Sequence, residues 1–290
     1  MNVVTNKIDD AFFDTESSNV IKRYGAVRVE EPRINDDEKS LHPFVSSLLQ
    51  RKECDQLTDE WFAKRLTCIT ATDVGSIVGH NPYRSRDDIV KKKLGQGEEA
   101  NKAALESPAC QWGMSHESLA GKIYSQVSGN ELVSNCGFYS HPKYEWLGAS
   151  PDAIIRNQPI LVEIKSPYRA RIKPGVIRSY YYDQIQLQME VCDMDVCHFV
   201  QCVPSSAFQN GQINIQVIPR DRIWFKMFFP LLAKFHEEII VRQKEKRITT
   251  EKVLALSSSS TPVHIEDVQP VYPALYDVTT KGGPLDIILS

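Results

Sequence analysis

Two kinds of apolar pattern alternate along residues 55–250 of this 290-residue chain: short runs of strand length, and longer stretches with an apolar residue every three or four positions. The second pattern predicts helices over Asp59–Leu66, from about Ala71, over Ser85–Leu94, Ala109–Val127, Tyr181–Cys192 and Asp221–Lys246. Thr58 is placed to cap the first of these, and Thr70 or Thr72 the second. Short runs predict strands over Cys136–Ser140, Glu145–Ala149, Ala153–Arg156, Ile160–Lys165, Val196–Val203 and Ile213–Ile218. Helices, then antiparallel strands, then helix and strand again is an α/β order with a mixed central sheet, too poor in strands for a barrel. Residues 1–54 are polar and weakly periodic and read as an N-terminal extension with one short helix near Pro43–Leu49. Residues 251–290, with SSSSTP and a tail bearing Pro and Gly, read as a C-terminal tail on a domain of residues 55–250.

One strand breaks its own pattern. In the stretch SPDAIIRNQPILVEIKSPY, Glu163 and Lys165 interrupt an otherwise apolar run. Strand side chains alternate faces, so Glu163 and Lys165 share one face while Val162 and Ile164 point the other way. Burying either charge alone costs several kcal/mol, by order of magnitude, so a partner, a metal or a chemical task is expected there. Asp152, in the preceding turn, is the natural third member. Two carboxylates on adjacent strands offer hard oxygen ligands to Mg²⁺, and a neighbouring lysine can position or deprotonate a water. The same three residues could equally be a turn aspartate beside a surface Glu–Lys pair.

Composition narrows the picture. Hydrophobic residues make up 42% of the chain, enough for one large core or two modest ones. No apolar run reaches the length of a membrane span, and the first residues lack the pattern of a signal peptide, so an intracellular protein is expected, in the cytoplasm or nucleus of a host cell. The seven cysteines form no CxxC pair, which argues for buried thiols rather than a zinc or redox site. A formal net charge of −3 does not advertise a nucleic-acid binder, yet basic residues gather at Lys91–Lys93, from Lys165 to Arg178 and from Arg242 to Arg247. Tyr180, Tyr181 and Tyr182 offer faces for base stacking, with core packing the plainer expectation.

Around the P-D and E-x-K pattern, carried by SPDA and VEIKSP, three further stretches stand in order: DEWFAKRLTCITATDVGSIVGHNPY and QWGMSHESLAGKIYSQVSG before it and YYDQIQLQMEV after it. Together these resemble the lambda-type (YqaJ-like) exonucleases of phage and viral recombination systems, members of the PD-(D/E)xK nuclease superfamily, over residues 59–205. The resemblance implies a restriction-endonuclease-like core. It implies that Asp152 and Glu163 ligate metal, with Glu117 contacting it directly or through water, and that Lys165 orients or activates the attacking water. Gln184 matches the active-site glutamine. By spacing, Gln184 and Gln188 share a helix face, while Gln186 is turned about 160° from each. Arg65 and Thr72 match the positions that hold a terminal 5′-phosphate; Thr72 stands where the family often has serine.

The function so implied is a Mg²⁺-dependent DNA exonuclease, with Mn²⁺ as a possible substitute, hydrolysing linear duplex 5′ to 3′ to leave 3′ single-stranded tails for recombination or repair. Duplex DNA with a free end is the expected partner, with a homotrimer and a single-strand annealing protein as further inheritances. Two alternatives stand beside it: a structure-specific or restriction-type endonuclease of the same superfamily, and a non-catalytic DNA-binding protein.

Overall fold

The computed structural model describes backbone and side chains of residues 40–96, 106–168, 171–204 and 211–251, and the backbone alone of residues 3–8 and 252–258. Most of the expected N-terminal extension and the tail beyond Ser258 lie outside these residues. The chain divides into two compact units, residues 1–245 and 246–290.

In chain order the elements are β1 (Val3–Ile8), α1 (Pro43–Gln50), α2 (Asp59–Thr67), β2 (Ile69–Thr70), α3 (Ala71–Ile77), α4 (Arg86–Lys93), α5 (Pro108–Ser128), β3 (Leu132–Ser134), β4 (Tyr139–Ser140), β5 (Leu147–Ala149), β6 (Ala153–Ile155), β7 (Ile160–Lys165), α6 (Ser179–Cys192), β8 (Val196–Val203), β9 (Gly211–Pro219) and α7 (Arg222–Ser258). A six-stranded sheet runs β1-β9-β8-β7-β6-β3, and a smaller one runs β2-β5-β4. Only β7 and β8 pair in parallel within the large sheet, Glu163 opposite Phe199 and Lys165 opposite Gln201; its other pairs are antiparallel. A parallel pair needs a crossover, and α6 supplies it. This is the mixed α/β sheet with flanking helices that the residue pattern predicts.

Each face of the large sheet has its own apolar layer. Leu161, Ile154, Cys197 and Phe199 pack with Ile185, Met189 and Val74, on the side of α3 and α6. Val162, Ile164, Ala153, Val200 and Ile215 pack with Ala120, Ile123 and Tyr124 of α5 on the other. The alternation in β7 is therefore as the sequence reading had it. Val45 and Leu48 of α1, within the segment read as an extension, are buried in the first layer.

Local chemistry sets the helix starts that matter for the site. Thr58 accepts the amide of Trp61 at 3.2 Å and opens α2. Thr70, rather than Thr72, opens α3; the Asp73 carboxylate takes the Thr70 amide at 3.1 Å and its hydroxyl at 2.8 Å. Thr72 is thereby left exposed on the first turn. Gly75 lets α3 lie against α6: a Cβ there would stand 2.6 Å from Cβ of Tyr180, closer than two carbons can approach.

The strands and helices differ from expectation at several ends. β1, β2 and β3 carry no strong alternation and exist through pairing, β1 with β9, β2 with β5 and β3 with β6. The long terminal helix runs past Lys246 to Ser258 and accommodates Pro230 internally. Six of the seven cysteines are buried, and all seven are free thiols, as the absence of disulfide spacing suggested.

Candidate active site

Glu163 sits near the end of β7 and is 1% exposed. Its Oε1 accepts Nε2 of Gln184 at 2.5 Å and its Oε2 accepts Nε2 of Gln188 at 2.8 Å. Lys165 Nζ forms an ion pair with the same carboxylate. Three donors on one buried acceptor satisfy the demand that a buried charge be paired and hydrogen-bonded. Asp152, in the turn before β6, accepts the backbone amide of Ile164 at 2.7 Å, which ties its carboxyl to the β7 backbone between Glu163 and Lys165.

The electrostatics bind these groups together. Burial pushes the Asp152 carboxyl well above the usual carboxylate range; the Glu163 charge pushes the same way, Lys165 opposes, and Glu117 adds a further push upward. Glu117, on α5, is itself raised by burial, with Lys165 pulling it down and Glu163 pushing it up. For Lys165, burial favours the neutral amine, but the carboxylates of Glu163 and Asp152 outweigh it and hold the ammonium above the ordinary lysine range. Its Nζ also lies 5.6 Å from the ring centre of Tyr181. Three acidic side chains thus share one resident cation.

Among the described residues no three His, Cys, Asp or Glu side chains stand as a ready-made ligand cage. The donor set nonetheless fits a hard divalent cation. Mg²⁺ takes one or two protein carboxylates, keeps several waters and draws its other ligands from substrate phosphate, so a closed cage is not required. Crowding of Asp152, Glu163 and Glu117 against one lysine leaves an excess of negative charge that such an ion would relieve.

A second cluster sits on α2, α3 and α4. Arg65 Nη2 donates to Oγ1 of Thr72 at 3.2 Å, and its guanidinium lies 4.3 Å from the ring centre of Trp61. Beneath them the buried carboxylate of Asp73 pairs with Lys92 at 2.9 Å and Lys93 at 2.7 Å. Lys93 also donates to the carbonyl of Arg65 at 2.6 Å. Burial brings Lys92 down to about 8, with Asp73 opposing and Lys93 and Arg65 assisting. Burial likewise lowers Arg65, Asp73 opposing and Arg84 assisting. Three cations, Lys92, Lys93 and Arg65, around one carboxylate make a locally positive patch in a chain whose net charge is negative, the electrostatic condition for holding an anion.

The structure brings Asp152, Glu163, Lys165, Gln184 and Glu117 into one cluster and Arg65 and Thr72 into another. Gln186 does face away: its Nε2 donates to the carbonyl of Pro219 at 3.0 Å and its Oε1 accepts the amide of Asp221 at 2.6 Å. Gln188 was absent from the expected site. Its signal was the four-residue spacing from Gln184, which puts both amides on one face. Trp61 donates Nε1–H to Ser150 Oγ at 2.8 Å, and His116 stacks on Trp112 with ring centres 3.7 Å apart.

Residues 60–195 match the YqaJ-like viral recombinase domain. Uncharacterized protein R354 of Acanthamoeba polyphaga mimivirus is 27% identical over 164 residues, which is 51% of this chain and 29% of that protein. Protein D345L of African swine fever virus (strain Badajoz 1971 Vero-adapted) is 29% identical over 163 residues, 45% of this chain and 44% of that one. The chain therefore spans less than half the length of these relatives. Among solved structures, the alkaline exonuclease (LHK-Exo) of Laribacter hongkongensis superposes with a TM-score of 0.56 at 25% identity, covering 68% of this chain and 100% of that chain. The fold is the restriction-endonuclease-like α/β fold of phage-type exonucleases. No helix among the described residues is long and apolar enough to cross a membrane.

Proposed function

We propose, from the YqaJ-like recombinase match over residues 60–195 and the likeness to an alkaline exonuclease, that this chain is a divalent-metal-dependent DNA exonuclease. It acts on linear duplex 5′ to 3′ and leaves 3′ single-stranded tails. The observation that carries the reading is the convergence of Asp152, Glu163 and Lys165, with Gln184 and Gln188 holding the Glu163 carboxylate in place.

Mg²⁺, or Mn²⁺, held by Asp152 and Glu163 with Glu117 beside them, would supply Lewis-acid stabilisation of charge on the phosphodiester and acidify water. The protein's own residues do the rest. Lys165, held charged by its carboxylate neighbours, orients the attacking water and offsets the negative charge of the phosphate rather than serving as a resting base. Gln184 and Gln188 donate to Glu163 and fix the direction of its oxygens. Arg65 and Thr72 grip the terminal 5′-phosphate with a guanidinium fork and a hydroxyl. A homotrimer and a single-strand annealing partner, acting inside a cell, belong to the same reading.

Digestion of linear duplex labelled at one 5′ or one 3′ end, beside a closed circular plasmid, tests the whole reading. Expected is Mg²⁺-dependent release from the 5′-labelled strand, with the circle untouched and 5′-phosphorylated ends preferred over 5′-hydroxyl ends. Cutting of the circle would point to the endonuclease alternative. Equal rates on both kinds of end would remove Arg65 and Thr72 from their roles.

The raised carboxyl of Asp152 yields a second expectation. A folded-state pKa above the unfolded value stabilises the fold at low pH, and that contribution is lost as pH rises from the unfolded towards the folded value. Metal-free protein should therefore melt at lower temperature as pH rises through this range, and added Mg²⁺ should raise the melting temperature more in mildly alkaline than in mildly acidic buffer. Differential scanning fluorimetry with and without Mg²⁺ reads both trends. Asp152→Asn should flatten them, and a Mg²⁺ response independent of pH would contradict the assignment.

A further inference from the structure

Outside both clusters, a cleft of about 320 Å³ opens between the His80–Tyr83 turn and the start of α6, lined by His80, Pro82, Tyr83, Ile177, Arg178 and Tyr180, with Ser179 at its edge. That volume lies at the small end of ligand pockets, about 300–1,000 Å³. Tyr83 is 74% exposed, so its ring is open to a ligand from the solvent side. It is not loose. Tyr180 meets it edge-on, ring centres 6.0 Å apart and planes at 89°. Arg178 Nη1 donates to the hydroxyls of both, at 3.1 Å to Tyr83 and 2.9 Å to Tyr180. His80 is fixed from behind by Asp183 Oδ2 at 2.8 Å, and Asp183 in turn accepts Trp224 Nε1–H at 3.0 Å.

We propose that this cleft is a nucleobase subsite, in which the open face of Tyr83, with the Arg178 guanidinium beside it, stacks on a base of the DNA strand. Three observations converge on that occupant. A rigidly held, exposed aromatic face next to a guanidinium is the recognition chemistry of unpaired bases, with little ordering cost on binding. Pro82 and Ile177 give the lining an apolar part that suits a flat ring. The cleft also continues the site already described: Tyr180 and Gln184 lie on the same side of α6, four residues or about 6 Å apart along its axis, roughly the step of one nucleotide. Gly75 presses α3, which carries Thr72, directly against Tyr180. Tyr181 and Tyr182, by contrast, pack on the core. The inference rests on the nuclease reading in that the base belongs to DNA.

The test measures binding rather than cleavage. End-labelled DNA carrying a short 5′ single-stranded stretch is titrated in EDTA, and again with Ca²⁺, against wild type, Tyr83→Ala and Tyr83→Phe. Tyr83→Ala should weaken binding about 5- to 100-fold, the range of one lost stack, while Tyr83→Phe keeps the ring and binds as wild type. The thermal midpoint of both variants should stay unchanged, since Tyr83 is exposed. DNA with a single abasic nucleotide moved stepwise from the 5′ end should weaken wild-type binding by a similar factor at one position, and there Tyr83→Ala should show no additional loss. Free deoxynucleoside monophosphate should displace the DNA no better from wild type than from Tyr83→Ala; displacement that requires the Tyr83 ring would assign the cleft to the released product instead. If wild type binds DNA and Tyr83→Ala binds equally well, the subsite falls and the nuclease reading stands. Should wild type bind with the abasic signature but never cleave, the reverse holds, and absence of any DNA binding removes both.

Discussion

Lys165→Ala should lower the rate of nucleotide release from linear duplex about 10²- to 10⁴-fold, the usual worth of a positioned proton-transfer or water-orienting group. The size follows from the place of Lys165. It is the cation paired with Glu163, its side chain is 24% exposed, so it reaches the solvent side of the buried Glu163, and it is held charged by two carboxylates. Removing it leaves Glu163 with the amides of Gln184 and Gln188 alone. The loss should fall on kcat, with DNA affinity changed far less, because the amine acts where the bond breaks. Lys165→Arg separates two explanations. A guanidinium preserves charge but not the compact ammonium, so recovery by arginine would reduce the role to charge compensation, whereas continued loss supports positioning of water. Activity within about tenfold of wild type in Lys165→Ala would remove the lysine from the mechanism altogether.

Asp73→Ala should cost about 3–5 kcal/mol of stability, the penalty for breaking a buried ion pair from one side. At the size of this domain, that is a fall in melting temperature of roughly 6–20 °C. Asp73 is fully buried and joins two functions at once: it ties the first turn of α3 through Thr70 and neutralises Lys92 and Lys93. Without it, Lys93, itself buried, keeps only carbonyl partners. Burial alone would raise the Asp73 carboxyl, but Lys92, Lys93 and Arg65 outweigh it and hold it well below the usual carboxylate range. The sign of the pH dependence follows. A depressed carboxyl stabilises the fold above its unfolded pKa, and that stability drains away as pH falls toward the folded value. Wild type should therefore lose this contribution in acid, and Asp73→Ala should show a shallower acid limb in chemical denaturation. A change under about 1 kcal/mol would mean that Lys92 and Lys93 find other partners. Preference for 5′-phosphorylated ends should weaken in the same variant, because Arg65 and Thr72 rest on this network.

How far these features were legible depended on the range of the interactions that produce them. The alternation in ILVEIK was enough to put Glu163 and Lys165 on one face and Val162 and Ile164 on the other, since a strand repeats every two residues wherever it is placed. The four-residue step from Gln184 to Gln188 marked a shared helix face, and the structure turns both amides onto Glu163. The two-residue step to Gln186 marked the opposite one. The segment T-A-T-D already contained the cap of α3, although whether Thr70 or Thr72 would serve was open until the Asp73 carboxylate was seen turning back on Thr70. By contrast, β1 and β2 were missed because neither has a periodicity of its own; each is a strand only because another strand lies beside it. The run past Lys246 to Ser258 was likewise missed, since Ile248, Thr249 and Thr250 are weak helix formers when nothing else is known.

What the residues determined alone was what neighbours in sequence govern: the order of the elements that carry a periodicity of their own, the two faces of β7, the kind of chemistry that P-D with E-x-K can support, and the helix faces of the glutamines. Tertiary packing alone decided which of those faces meet. It set Gln184 and Gln188 on the Glu163 carboxylate, buried Asp73 between two lysines from α4, and stood Tyr83 open beside Tyr180 and Arg178. The physical reason is that periodicity fixes direction relative to an element's own axis, whereas distance between elements is set by how residues such as Gly75 and Tyr180 fit when the elements touch, and no one-dimensional pattern contains that fit.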